Sequence, residues 1–142
     1  MVNIDEKNSH VYFTALEKSS VERHLYRIQF NGRSMERITK DDGVHKIGFS
    51  PNGNYYFDTY SNINTLPTLV LHSRDGEQLH VISKPRPELL EGMNLQTPEL
   101  FTIPTSDGFP MPAQILKPRN FNSRKKYPLI FHIYGGPSAP TV

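Results

Sequence analysis

The sequence contains no cysteine, which removes disulfide frameworks and thiolate metal sites and leaves the redox compartment undetermined. It also lacks any apolar run approaching the ~18 residues that a membrane-crossing helix needs, so no membrane span is expected. Met1 to Lys7 carry Asp5 and Glu6 where a secretory signal would have an apolar core, and so do not read as one. A surplus of one charge is missing too. The formal net charge is +2 and the pI near 8.9, with basic residues scattered apart from Arg124, Lys125 and Lys126. That balance argues against nucleic acid or an anionic membrane as partner. Hydrophobic residues make up only 36% of the 142, a small share for a self-sufficient core and one that suits part of a larger protein.

What the first half does contain is short runs of Tyr, Phe, Val and Ile separated by turn residues, the spacing of small antiparallel strands. Val11 to Ala15 and His24 to Phe30 read as a pair, with Tyr26, Ile28 and Phe30 expected on one apolar face and Leu25, Arg27 and Gln29 on the other. Asn31-Gly32 accepts positive φ and closes a hairpin, after which Met35 to Ile38 can return as a short strand. A second set follows at His45 to Phe49, Tyr55 to Tyr60, Thr68 to Ser73 and Gln78 to Ile82, joined by tight turns that include Ser50-Pro51-Asn52-Gly53 and Arg74-Asp75-Gly76. Four strands in one meander match a β-propeller blade. A hairpin of a β-sandwich would present the same residues.

From Lys84 the texture changes. Pro85, Pro87 and Pro98 punctuate a linker whose one helical candidate is Glu88 to Met93. Glu99 to Ile103 and Met111 to Leu116 flank Ser106-Asp107-Gly108 as a hairpin, and Leu129 to Ile133 is a continuous apolar run suited to a strand buried on both faces. The expected organisation is therefore residues 1–84 as the closing blades of a propeller, 85–98 as linker, and 99–142 as the first strands of a catalytic sheet. The fold class is mainly β, with antiparallel blades followed by a truncated α/β-hydrolase sheet.

The segment from Lys117 through Lys125-Lys126-Tyr127-Pro128-Leu129 to Tyr134-Gly135-Gly136-Pro137 resembles the start of the catalytic domain in the prolyl oligopeptidase clan. Within that clan it is most similar to dipeptidyl peptidase IV. Arg23-His24-Leu25-Tyr26-Arg27-Ile28 resembles a late propeller strand of that family, and Thr68-Leu69-Val70-Leu71-His72-Ser73 a strand of its last blade. The resemblance implies a fragment of a serine exopeptidase that releases dipeptides from free peptide N-termini, after Pro or Ala. It implies no metal or organic cofactor, and a secreted, periplasmic or membrane-anchored ectodomain. Tripeptidyl and acylaminoacyl peptidases, or a non-catalytic propeller–hydrolase binding module, are the alternatives.

Tyr134 has a chemical role that can be argued on its own terms. Acyl transfer needs preorganised donors for the oxygen of the tetrahedral intermediate, and one often comes from the loop after the third strand of an α/β-hydrolase sheet. A phenolic O–H on a rigid ring can donate there, and Gly135-Gly136 lets the backbone bend without a Cβ clash. A tyrosine that merely packs at a strand end would have the same local sequence. The family's nucleophile sits in a Gly-x-Ser-x-Gly elbow. Ser138 does not fit that pattern because Pro140 occupies the final position, so the Ser, Asp and His of a triad are expected outside these residues and the fragment is expected to be inactive. The acidic pair that holds the substrate's amino terminus in this family is also not here.

His10, His24, His45, His72, His80 and His132 lack the close spacing of zinc motifs and are expected to face solvent or a strand neighbour, with no metal site. Asp41-Asp42-Gly43 lacks the further oxygen ligands of a calcium loop and reads as a turn. A blade separated from its ring exposes strand edges and apolar faces, so self-association is expected.

Overall fold

The structure is a computed structural model that describes residues 2–133. It is mainly β, every ladder between strands is antiparallel, and the described residues form two compact units that meet in sequence at Pro85 and Arg86. In the first unit, β1 (Asn3–Asp5), β2 (His10–Ala15), β3 (His24–Gln29) and β4 (Glu36–Arg37) form one four-stranded sheet in that order. A second four-stranded sheet follows, β5 (Val44–Phe49), β6 (Tyr55–Asn62), β7 (Thr65–Ser73) and β8 (Gln78–Ser83). Both are simple meanders, as the turn spacing requires.

The turns hold as their residues dictate. Gly32 takes φ 77° and donates its N–H to the Gln29 carbonyl at 2.9 Å. In the Ser50 to Gly53 turn, Asn52 Oδ1 accepts from the Ser50 hydroxyl at 2.8 Å and from the Asn54 N–H at 3.1 Å. These local acceptors are what Asn offers a turn.

The facing of β3 differs from the alternation reading. His24, Leu25 and Tyr26 are all buried, whereas Phe30, expected on the apolar face, lies beyond the strand and is 52% exposed. This end of the first sheet is covered on both sides. Leu25 joins Tyr12, Ile38 and Tyr56 in the core shared with the second sheet. On the opposite face Tyr26 stacks on its cross-strand partner Phe13 at 5.8 Å and donates its hydroxyl to Glu17 at 3.0 Å. The pleat sends Tyr56 and Asp58 of β6 inward and leaves Tyr55, Phe57 and Thr59 exposed.

Three kinds of contact join the sheets. The backbone supplies one: Arg23 N–H donates to Gly43 O at 3.1 Å and His45 N–H to Arg23 O at 2.9 Å. The apolar middle is the cluster just named, to which Phe49 adds ring contacts with Tyr12 at 5.0 Å and Tyr56 at 5.4 Å. Ion pairs supply the third. Arg27 of β3 bridges Glu36 at 2.7 Å and Asp75 of the β7–β8 turn at 2.5 Å, and Arg74 of that turn reaches Asp5 of β1 at 2.9 Å.

The second unit holds a single turn of 3-10 helix at Pro87–Leu90 and the hairpin β9 (Glu99–Pro104) and β10 (Pro110–Ile115). The expected helix from Glu88 to Met93 is cut short, for Glu91 at ψ 133° takes the backbone out of helical space and Gly92 follows at φ 83°. Leu129 to Ile133 departs further from expectation. Among the described residues it pairs with no strand, and Ile130 is 92% and Phe131 78% exposed. A doubly buried strand needs partners along both edges and cover on both faces, and the described residues supply neither.

Gly43 enters the second sheet directly beside β6. Its φ is 137°, and a Cβ there would stand 2.2 Å from the Ser61 carbonyl oxygen. Gly43→Ala is expected to lower unfolding stability by about 1–3 kcal/mol through strain at this backbone conformation. Gly48→Ala, where nothing lies within 4 Å, should change it by less than about 1 kcal/mol. Denaturant unfolding of both variants checks this; equal effects would contradict the close approach.

Candidate functional site

Chemistry-bearing residues gather at one end of the junction, where β3 and β5 start side by side. His24 opens β3 and is completely buried. Its Nδ1 lies 3.1 Å from Thr39 Oγ1, which also accepts the Leu25 N–H at 3.1 Å, and its Nε2 lies 2.9 Å from Glu22 Oε2. Glu22 is in turn paired with Lys18 at 2.9 Å, and Lys18 also pairs with Asp42.

His45, the second residue of β5, is 2% exposed and sits between two acceptors, Asp58 Oδ2 at 2.6 Å from Nδ1 and the Asp41 carbonyl at 2.8 Å from Nε2. Its ring stacks on Tyr60 at 5.5 Å and lies 5.1 Å from the ring of His24. A cavity of about 130 Å³ adjoins, lined by Thr39, Asp41, His45, Tyr56, Asp58 and Gln78 among others. The Tyr56 hydroxyl and Asp58 Oδ1 are buried there without a hydrogen-bond partner among the described residues.

Opposite forces act on the two imidazoles. Burial pushes His24 below its ordinary value, against the hydrogen bond to Glu22. Burial also acts downward on His45, but the hydrogen bond and charge of Asp58 outweigh it and hold that ring above the usual value. Burial pushes the Glu22 carboxyl up; the hydrogen bonds from Lys18 and His24 overcome this and keep it below the usual range. Burial and the nearby Asp58 carboxylate push the Tyr56 phenol up.

Alternation placed both histidines on strands facing solvent or a neighbour, and the structure corrects the first option: His24 and His45 are interior. No spacing motif marks them, since their partners come from β6, from the loop before β3 and from the segment between the sheets. The one available signal is a His at the start of one expected strand and an Asp past the middle of the next, positions that an antiparallel hairpin brings near each other. Among the described residues no group of three or more His, Cys, Asp or Glu is placed to hold a metal. In Asp41-Asp42-Gly43 the backbone carbonyl of Asp41 bonds His45 and the carboxylate of Asp42 pairs with Lys18. Tyr134, Gly135 and Gly136, the expected oxyanion loop, lie outside the described residues. No helix among the described residues is long and apolar enough to cross a membrane.

Two meandering four-stranded sheets packed face to face through such a junction are adjacent blades of the propeller type. The comparisons agree. Residues 1–67 match the family model for the dipeptidyl peptidase IV (DPP IV) N-terminal region. Over 98% of its length the chain is 30% identical to a probable dipeptidyl-aminopeptidase B of Arthroderma otae, and 32% identical to the proteins of that description from Aspergillus clavatus and Tuber melanosporum. It spans 16% of the length of each. A crystal structure of Porphyromonas gingivalis dipeptidyl peptidase 4 superposes with a TM-score of 0.78 at 25% identity, covering 89% of this chain and 18% of that one. The chain is a dipeptidyl peptidase IV-like segment.

The His45–Asp58 pair carries a pH dependence with a definite sign. An imidazole whose value is raised on folding stabilises fully below its unfolded value of about 6.5 and loses that contribution as pH rises through the folded value. Asp58→Asn is expected to cost about 3–5 kcal/mol near pH 6, because it breaks a buried pair, and less at alkaline pH. Urea unfolding across a pH series checks this; parallel pH slopes for wild type and Asp58→Asn would contradict it.

Proposed function

We propose that the chain is part of a serine exopeptidase that releases dipeptides from free peptide N-termini, with preference for Pro or Ala before the scissile bond. Residues 1–84 supply the closing blades of a propeller, 85–98 the linker, and 99–142 the opening strands of an α/β-hydrolase domain. The observation that carries this reading is the continuity of the similarity. It runs over 98% of the chain, from the paired sheets through to the Tyr134 segment, and the relatives it reaches are dipeptidyl-aminopeptidases.

In this reading Tyr134 donates its phenolic O–H to the oxygen that gains charge when the catalytic serine, elsewhere in the protein, attacks the substrate carbonyl. Gly135 and Gly136 let the loop turn the ring toward that oxygen. The donor acts in the transition state and not on the resting carbonyl, so its effect belongs in kcat. The blades limit access to the catalytic chamber and select short, unblocked peptides. No metal or organic cofactor takes part.

Tyr134→Phe in the full-length protein should lower kcat by about 10²–10³ with KM little changed, as for loss of one oxyanion donor. The assay is release of p-nitroaniline from Gly-Pro-p-nitroanilide, with the N-acetylated compound and a tripeptide anilide beside it. Faster turnover of the acetylated or tripeptide substrate would move the assignment to an acylaminoacyl or tripeptidyl peptidase. No turnover of any of them by the wild type would favour a binding module.

The 142-residue chain on its own should self-associate through the exposed face that carries Tyr55 and Phe57. Sedimentation at rising concentration checks this, and a monomer throughout would refute it.

A further inference from the structure

The hydrogen-bonding partners of His24 and His45 fix how many protons each ring carries. A carbonyl and a carboxylate can only accept, so His45, held between Asp41 O and Asp58 Oδ2, must donate from both nitrogens and is an imidazolium. His24 also donates to a carboxylate, through Nε2 to Glu22, but its Nδ1 faces a hydroxyl. Thr39 Oγ1 accepts the Leu25 N–H, and among the described residues the Nδ1 lone pair is the one acceptor within reach of its own proton. His24 is therefore neutral. One charged and one neutral ring pack 5.1 Å apart in the interior.

We propose that this pair is an acid-sensitive latch between the two sheets, in which uptake of a second proton at His24 sets two imidazolium rings against each other and releases the backbone contacts between β3 and β5. The charged groups around it favour that outcome. His24 faces Glu22 from the loop before β3, Arg37 from β4 and His45 from β5, while Lys18 stands behind Glu22. His45 faces Asp58 and Tyr60 from β6 and Asp41 from the segment before β5. Asp58 Oδ2 is taken by His45, Glu22 is shared between His24 and Lys18, and Asp42, which also faces His24, is paired with Lys18, so the carboxylates nearest His24 already have partners. The rings also stand where release would count. His24 and His45 are the residues next to Arg23 and Val44, whose backbones form the bridge joining the sheets.

The sign follows from His24 preferring the neutral form when folded. Its contribution is complete above the ordinary histidine value of 6.5 and is lost as pH falls through the lower, folded value. Across that window the opening constant of the seam should rise about tenfold per pH unit, the limit for one proton, and then level off.

Hydrogen–deuterium exchange of peptides containing the Arg23 and His45 amides, measured on the full-length protein and corrected for intrinsic exchange, reads this constant. The rise is expected in wild type and absent in His24→Gln, which keeps a hydrogen-bonding side chain but cannot charge. Exchange of the imidazole C2 hydrogen of wild-type His24 gives its titration midpoint directly, so a His24→Gln protein that fails to fold does not block the test. A midpoint below 6.5 that coincides with the levelling supports the latch. A midpoint at or above 6.5, a midpoint that does not match the levelling, or an acid rise that persists in His24→Gln overturns it.

Discussion

Two antiparallel sheets can pack closely only if the backbone that crosses from one to the other is satisfied without water, and the Arg23–Gly43–His45 junction is where this chain meets that constraint. Arg23 donates to Gly43 and accepts from His45, so strands of different sheets share hydrogen bonds as if they belonged to one. Gly43 has no room for a Cβ either, since the carbonyl of Ser61 in β6, the neighbouring strand of its own sheet, fills that space. Leu25 and Ile38 reach Tyr56 because this junction brings their strands within range. The same approach buries two histidines that would otherwise be ordinary strand residues.

The polar groups around the junction fix its geometry more than they add to its strength. Removing apolar surface from water supplies most of the stabilisation in a core of this kind, and a buried ion pair is often near neutral once desolvation is counted. The His45–Asp58 pair nevertheless accepts only one arrangement, because both ring nitrogens must find acceptors and the acceptors come from different elements. At the other side of the shared core Arg27 and Arg74 tie the β7–β8 turn to the first sheet. A register slip in β6 would move Asp58 to the opposite face and leave His45 charged and unpaired.

Much of this architecture could be read from the chain, and the parts that could not have physical reasons. Asn31-Gly32, Asn52-Gly53 and Asp75-Gly76 placed the hairpins because few dipeptides tolerate those backbone angles, and the second meander followed with strand limits shifted by a few residues. β1 escaped notice because Asn3–Asp5 has no apolar alternation and exists as a strand through its pairing with β2. The face of β3 was misjudged because alternation describes a sheet covered on one side, and this end is covered on both. His24 and His45 were unreadable as a site because hydrogen bonds between elements distant in sequence define it. At Leu129 to Ile133 composition indicated a buried strand, but burial depends on neighbours that composition does not contain. The reading of Tyr134, Gly135 and Gly136 as an oxyanion loop rests on resemblance alone, and those residues lie outside the described ones.

If the seam holds the first unit together, its two sheets are one cooperative body and not two blades that fold independently. Native-state hydrogen exchange in low denaturant separates these cases. Amides of β2 and of β6 should converge on one opening free energy with the same denaturant dependence, as residues released only by a shared unfolding event do. If the β6 amides opened at markedly lower free energy while β2 remained protected, the seam would not be what holds the structure together, and the interpretation of its buried charges would fail with it.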